Sequence, residues 1–481
     1  MDEKSVEYMT FESSPVLIAI CRQALPTVTG QIILVLYNMA DMFFIGMTGS
    51  DAKLTAVTIC MPALMFLSAI SNLFGVGGAS EISRALGRRQ RAHAAATAAF
   101  VFWACLLGTA LYSAGLWLFM DVCIDLLGGT ASEVHGYTRT YLVFTVVFGG
   151  AGASMSALLA HLLRSEGRSL QASVGIMAGG VLNILLDPLF MFWLMPAGEE
   201  VAGAALATAL SNFAAAGYFL FVIWKRKGSS ILCFRLNRYA FSGGIVRCVL
   251  STGSPACVMT LFENISYAIL GNLMALHGTT AQAGIGVAKK VNMLAHCITR
   301  GMAQGVLPLI AYNYAAKNFK RMKSIVHTAK LISVALAVFY TGICLLFSSE
   351  LIGIFIQEGS SSLRYGTSFL KILSIGGPFS AYAYSIISFF QAVNCGQKSF
   401  ILAILRKGVL DVPLMFLLRL FAPIYGLVWA TPIADGVCCI AAIMFFLKFI
   451  AHRREKLAHR SENFCVALGV NSSDSRRNGI Y

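Results

Sequence analysis

Charge is scarce in this chain. Only 12% of its residues are Asp, Glu, Lys or Arg, and 57% are hydrophobic, where soluble domains carry roughly 25% charged residues. Mean hydropathy is +0.72. No water-soluble fold hides that much apolar surface, so the class is a polytopic membrane protein. Acids are scarcer than bases, 22 against 37. The net charge of +15 does not indicate nucleic acid, because the bases recur in short loops on one side. The thirteen cysteines include no C-x-x-C and no Cys/His spacing for zinc. They read as small hydrophobes of helix packing, with no structural disulfide expected. His161 and His296 are isolated and make poor metal ligands. Neither H-E-x-x-H nor G-x-S-x-G occurs in the apolar runs, so a membrane-embedded enzyme lacks its machinery and no cofactor is expected. A cleavable signal peptide is not expected either, since the first residues are acidic and polar (Asp2, Glu3, Glu7, Glu12).

Long apolar runs are what the chain has in abundance. They alternate with short polar loops about twelve times: 16–46, 53–83, 93–119, 137–163, 170–194, 202–224, 245–276, 281–312, 324–348, 367–393, 399–421 and 425–450. One set of loops holds Arg84, Arg88, Arg89 and Arg91, then Arg164 and Arg168, then Lys225 to Arg238, Lys317 to Lys323, and Arg453 to Lys456. The opposite set holds Asp51, Asp121, Asp125, Glu133, Glu199, Glu200, Glu350 and Glu358. The positive-inside rule then predicts a multi-pass protein of the cell membrane with both termini in the cytoplasm.

The chain also repeats itself. Pro26 and Pro255 are 229 positions apart (255 − 26), and so are Gly49 and Gly278, Arg91 and Lys320, and Gly167 and Gly396. "GAALATALSN" at Gly203 matches "GLVWATPIAD" at Gly426 with an offset of 223. Each copy has six spans and keeps its orientation. The reading is an all-α protein of twelve transmembrane helices, in two six-helix lobes related by a pseudo-two-fold axis along the membrane normal. The lobes are 1–240 and 241–456, followed by a disordered cytoplasmic tail, 457–481. Transporters built this way bind substrate between their halves.

Two aspartates lie inside the apolar runs. Asp41 and Asp187 each stand 19 positions beyond an arginine, Arg22 and Arg168, which marks the same end of its helix. At about 1.5 Å per residue the two carboxylates reach a similar depth. An intramembrane carboxylate marks an ion or substrate pathway by default. Two of them close together cannot both stay ionised cheaply, and a proton or sodium ion relieves the repulsion. Asn183 shares a helix face with Asp187 one turn away, and Pro188 weakens the backbone bonding beside it.

"LPTVTGQIILVLYNMADMFFIGMTG", "NLFGVGGASEISRALGRRQRAHA", "LNILLDPLFMF", "GAALATALSN" and "GVLPLIAYNYAAKNFKRMK", in this order, resemble the MATE family of multidrug and toxic compound extrusion antiporters, closest to its MepA-type bacterial branch. The resemblance implies a monomer that exports small cationic amphipathic compounds, including antibiotics, through a cleft opening alternately to the two sides, in exchange for H+ or Na+. The family's amino-lobe cation site maps onto Asp41, Asn183, Asp187 and Thr208, with Tyr37 and Asn38 in neighbouring positions, so a sodium ion would sit at Asp41 and Asp187. Glu263 falls where one branch carries a cation-binding glutamate, but the tenth span here has no acid. Glu263 is therefore a candidate for the substrate cleft, with a helix–helix hydrogen bond as the other role open to it; of Lys289 and Lys290 one, Lys290 in the first place, is expected to line the cleft or pair with Glu263, with snorkelling or packing as the other role. Asp411, five residues beyond Arg406 and four beyond Lys407, reads as part of a local ion pair, and Asp435, which matches Asn212 in the repeat, as structural polar packing. "GVGGASE" lies at a helix end after no strand, so it reads as close helix packing rather than a nucleotide loop. The competing function is a flippase or exporter of lipid-linked or polyanionic cargo, which relatives in the wider superfamily move.

Overall fold

A computed structural model describes residues 10–467 apart from Thr130, Lys227, 236–237 and 357–360, with side chains as far as His452. Glu358 and residues 468–481 lie outside the described residues. Among the described residues regular structure is helical throughout. The first half contributes α1 (Val16–Gly46), α2 (Met61–Gly87), α3 (Arg91–Leu118), α4 (Gly150–Ser165), α5 (Ser169–Leu189) and α6 (Glu200–Lys225). The second half contributes α7 (Gly243–Ala275), α8 (Thr279–Ala315), α9 (Phe319–Leu346), α10 (Gly377–Ala392), α11 (Gly396–Ile404) and α12 (Tyr425–Ala467).

Eight helices are long and apolar enough to cross a bilayer, and two bent pairs raise the number to ten. The bends lie at equivalent places in the two halves: 48° between Ser132–Phe148 and α4, and 41° between Ser361–Ile375 and α10. The two remaining spans are α8 and α11 with its continuation to Leu418. Both carry charged groups in their middle, Lys289, Lys290 and Arg300 on the first and Arg406, Lys407 and Asp411 on the second. Buried polar helices of this kind belong inside a bundle rather than against lipid. Lipid-facing surfaces are apolar instead, with Leu111, Phe339 and Leu346 each exposed by more than 60%. In water that surface would drive aggregation, and in a bilayer it is solvated. α12 runs on to Ala467, past Lys456, where the sequence reading begins a disordered tail. The segment "REKLAHRSENF" is rich in helix formers, so it extends the preceding helix.

The packing is asymmetric along the helices. At the end bearing the basic loops, one core draws on both halves: Ile20, Ala24, Val76 and Ile82 pack with Leu309, Tyr312, Ile386 and Phe389. At the opposite end each half has its own core, around Ile45, Leu116 and Tyr141 in the first and Leu270, Ile285 and Phe369 in the second. The halves therefore meet at the basic-loop end and separate away from it. Glycines permit the close crossings. A Cβ on Gly77 would stand 2.3 Å from the Val249 carbonyl oxygen, and one on Gly253 only 1.8 Å from that of Leu73, so α2 and α7 touch through their backbones. Glycines of "GVGGASE" thus serve helix crossing. The leading segment straps the halves together: Asn313 donates to the Phe11 carbonyl at 3.1 Å, and Arg321 Nε to the same oxygen at 2.8 Å.

Candidate functional site

In the first lobe, α1, α5 and α6 bring together four of the residues singled out above. Asp187 is fully buried and Asn183 nearly so. The Asn183 side-chain amide donates to Asp187 Oδ1 at 3.1 Å and to Thr208 Oγ1 at 3.4 Å. The buried Asp41 carboxyl faces both Asp187 and Asn183. Pro188 sits inside α5 one residue past Asp187, and a π-helical turn, Phe190–Leu194, follows it. Proline removes a backbone donor, and π turns commonly mark functional positions in helices.

The lone pairs left over define what this group can hold. Asp41 Oδ1, Asp187 Oδ2 and Asn183 Oδ1 are buried and receive no N–H or O–H of another side chain or of the backbone, while the two carboxyls meet each other. Hard oxygens of two adjoining carboxyls and one amide favour a small cation, a proton shared between the acids or an alkali ion, over a soft transition metal. Among the described residues no group of three or more His, Cys, Asp or Glu side chains could hold a metal. Tyr37, one turn before Asp41, packs beside Gly180 of α5. Asn38 donates to its own helix at the Leu34 carbonyl, 2.7 Å away, and meets the Tyr37 hydroxyl. Tyr141 is one residue that sequence reasoning missed. It is 3% exposed and lies within electrostatic range of both acids and Tyr37. No spacing signal tied it to them, because it comes from the bent span before α4.

The second lobe holds a counterpart with the opposite bookkeeping. Lys407 and Asp411 are four residues apart, like Asn183 and Asp187, and Thr431 stands 223 positions beyond Thr208 (431 − 208). Asp411 Oδ2 accepts from Lys407 Nζ at 3.1 Å and from Ser266 at 2.6 Å, and Thr431 donates to Oδ1 at 2.9 Å. Ser266 and Leu270 fall 229 positions after Tyr37 and Asp41. The copy therefore lacks the second acid and carries an ammonium where the first lobe has an amide. Next to it Arg406 Nε meets Asp435 at 2.6 Å and its guanidinium lies 4.3 Å over the Tyr384 ring. Glu263 pairs with Arg300 at 2.6 Å. Lys289 lies 4.5 Å over the Tyr267 ring, and Lys290 is half-buried. Arg300 as the partner of Glu263 was not legible, because α7 and α8 bring together positions 37 apart.

Between the lobes lies a small cavity of about 60 Å³, lined by α2, α4, α7, α8 and α10. Its apolar wall includes Met259, Leu307 and Tyr384, and its charged lining residues are Arg164 and Arg300. Asp41 and Asp187 do not line it.

The MatE family model matches this chain twice, over residues 26–189 and 255–417. The matches begin at Pro26 and Pro255, the same pair that anchors the repeat. Among curated relatives, the multidrug export protein MepA of Staphylococcus saprophyticus is 28% identical over 92% of this chain and 96% of its own length. The protein of the same name from Staphylococcus aureus is 27% identical with the same coverage. A solved MATE structure in complex with MaL6 superposes with a TM-score of 0.83 at 23% identity, covering 93% of this chain and 99% of its own. The fold and the doubled family match agree with the two-lobe repeat, and the chain belongs to the MATE family, alongside its MepA-type bacterial members.

Proposed function

We propose that this protein is a multidrug efflux transporter of the cell membrane, exporting cationic amphipathic compounds in exchange for H+ or Na+, with both termini in the cytoplasm. The observation that carries the reading is the contrast between the two lobes. The first holds two buried acids that meet each other with no cation of the chain beside them, while the acid in the corresponding place of the second is bonded to its own lysine. An exchangeable cation belongs at Asp41 and Asp187, with Asn183 and Thr208 orienting the pair and Tyr37 beside it. In the second lobe Lys407 stands in the place of Asn183 and bonds the lone acid. Binding or loss of the ion changes the charge between α1 and α5, and so biases which end of the interlobe cavity is closed. A ligand shifts such an equilibrium only through its different affinity for the two states.

The MepA relatives are named for multidrug export, which supports small-molecule cargo here. One observation favours the second reading, export of lipid-linked or polyanionic cargo: the charged lining residues of the cavity are both arginines. Against it, Arg300 is already neutralised by Glu263. The deciding experiment reconstitutes the protein in liposomes and imposes pH and sodium gradients separately. Uphill movement of a cationic dye driven by one of them is expected. Dye that merely equilibrates under both gradients sinks the proposal.

A further inference from the structure

We propose that residues 10–12 form a releasable latch that holds the basic-loop end of the lobes shut, so that its release sets how often that end opens. The latch bears on transport through the alternating access proposed above, whichever ion or cargo is involved.

Residues 10–12 make one helical turn just ahead of α1. They are joined covalently to the first lobe, yet their polar partners lie on the second. The Phe11 carbonyl accepts from Asn313 of α8 at 3.1 Å and from Arg321 Nε of α9 at 2.8 Å, and Arg321 Nη2 donates to the Thr10 carbonyl at 3.2 Å. Glu12 accepts from the Tyr312 hydroxyl at 2.5 Å. Phe11 itself is 2% exposed. Its ring stacks on Tyr312 with centroids 5.0 Å apart. It also meets the α4–α5 turn of the first lobe at Gly167, where a Cβ would stand 2.8 Å from the ring. The ring therefore fills the seam between the lobes. Separating them at this end pulls it off one wall or the other and exposes apolar surface to water.

The repeat carries this crossing twice. Tyr239, Ala240 and Phe241 follow Thr10, Phe11 and Glu12 by 229 positions (240 − 11), in the 3₁₀ turn Arg238–Phe241 ahead of α7. They cross the other way, onto α3 of the first lobe. The Tyr239 hydroxyl lies 3.0 Å from His93 Nδ1, and the Phe241 ring meets Phe100 edge-on with centroids 5.9 Å apart. The repeat pairs α3 with α9, the helix of Arg321, since Arg91 and Lys320 are also 229 apart. Each half thus lays its leading turn on the other half, with carbonyl bonds in one crossing and aromatic edges in the other. The two differ in how they let go. The linker bearing 239–241 is pinned again to the first lobe, where Trp103 Nε1 donates to the Phe234 carbonyl at 2.9 Å and the Ile231 N–H to Glu166 at 2.6 Å. Residues 10–12 grip the second lobe through carbonyls, one carboxylate and one ring, and water replaces such hydrogen bonds at small net cost. They are the latch, and the linker turn is the tether that stays.

The test uses the full chain in lipid nanodiscs, with native cysteines replaced and spin labels at positions 88 and 317, one in each lobe. Phe11→Ala should raise the ratio of long to short distances about tenfold, the scale of a net hydrogen bond or of part of a ring buried. Arg321→Gln removes the donors to Thr10 and Phe11 from a partly exposed position and should act in the same direction, so the outcome does not hang on one core variant. Release is read separately with Thr10→Cys, at a position 5% exposed. Its reaction with a maleimide should be faster when Arg321→Gln is present. Unchanged distances in both Phe11→Ala and Arg321→Gln overturn the latch. Longer distances with Thr10→Cys still protected also overturn it, because the turn would then travel with the second lobe. Gradient-driven dye export by the unaltered protein in proteoliposomes separates the two levels. Export together with unchanged distances in the variants sinks the latch alone, while longer distances without export by the unaltered protein support the latch and sink the efflux reading.

Discussion

Removing the charges of Lys407 and Asp411 together should be tolerated, whereas removing either one alone should not. The two are bonded at 3.1 Å, with the lysine 8% and the aspartate 0% exposed at the side chain. Breaking a buried pair by deleting one partner costs about 3–5 kcal/mol, because the other charge is left uncompensated, while replacing both is often neutral. Against a net stability of roughly 5–15 kcal/mol, the single loss is severe. Asp411→Asn alone should therefore lower the thermal midpoint sharply, and Lys407→Gln with Asp411→Asn should restore it. Transport adds the decisive half. A tenfold gradient of a coupling ion sustains at most about a tenfold gradient of a monovalent cationic dye per ion exchanged, or about 1.4 kcal/mol. In proteoliposomes the double variant should still build that gradient, because the proposed exchangeable site lies in the other lobe. A double variant that inserts and stays folded yet only equilibrates the dye would show that Asp411 takes part in coupling, and the lobe contrast would no longer support the mechanism.

Three other substitutions separate the remaining roles. Asp187→Asn, and likewise Asp41→Asn, should collapse the ion-driven dye gradient from about tenfold to none while the protein remains in the membrane; dye efflux from vesicles and a membrane-fraction blot check this, and normal coupling would remove the residue from the engine. Glu263→Gln frees Arg300 from its partner at 2.6 Å, so it should change which compounds are exported more than how export is driven; an unchanged resistance profile in a pump-deficient host assigns the pair to packing. Gly253→Val would push a side chain into the Leu73 carbonyl at a cost of about 1–3 kcal/mol, shifting the lobes apart at the basic-loop end. Spin labels at positions 88 and 317 should then report longer distances than in the unaltered protein, and an unchanged distance distribution would contradict the crossing as a closing surface.

Much of the candidate site was readable because its residues are chemically expensive where they sit. Asp41 and Asp187 stood out as carboxylates within apolar runs at matching distances from a basic loop, and Asn183 followed by one-turn spacing. Asp411 was readable as part of a local ion pair, since four residues along a helix bring side chains together, but only the structure chose Lys407 over Arg406 as its partner. Arg300 with Glu263 and Arg406 with Asp435 were not, because each contact joins separate helices whose rotation no periodicity reports. Tyr141 was hidden for a further reason. It is an ordinary amphipathic residue of a bent span, and its role comes only from the neighbours that the bend supplies.

Apolar run length, basic-loop asymmetry and the 229-residue offset between Pro26 and Pro255 were enough by themselves for the class, the span count and the doubled architecture. These follow from backbone hydrogen bonding in lipid, which leaves helices as the solution for an apolar chain. Tertiary packing alone decided which end of the lobes is shut, which acids meet a cation of their own chain, and which charges remain open. Those outcomes depend on how helices turn against one another through glycine crossings. There, a rotation of a fraction of a turn moves a carboxylate from a lysine to an empty space.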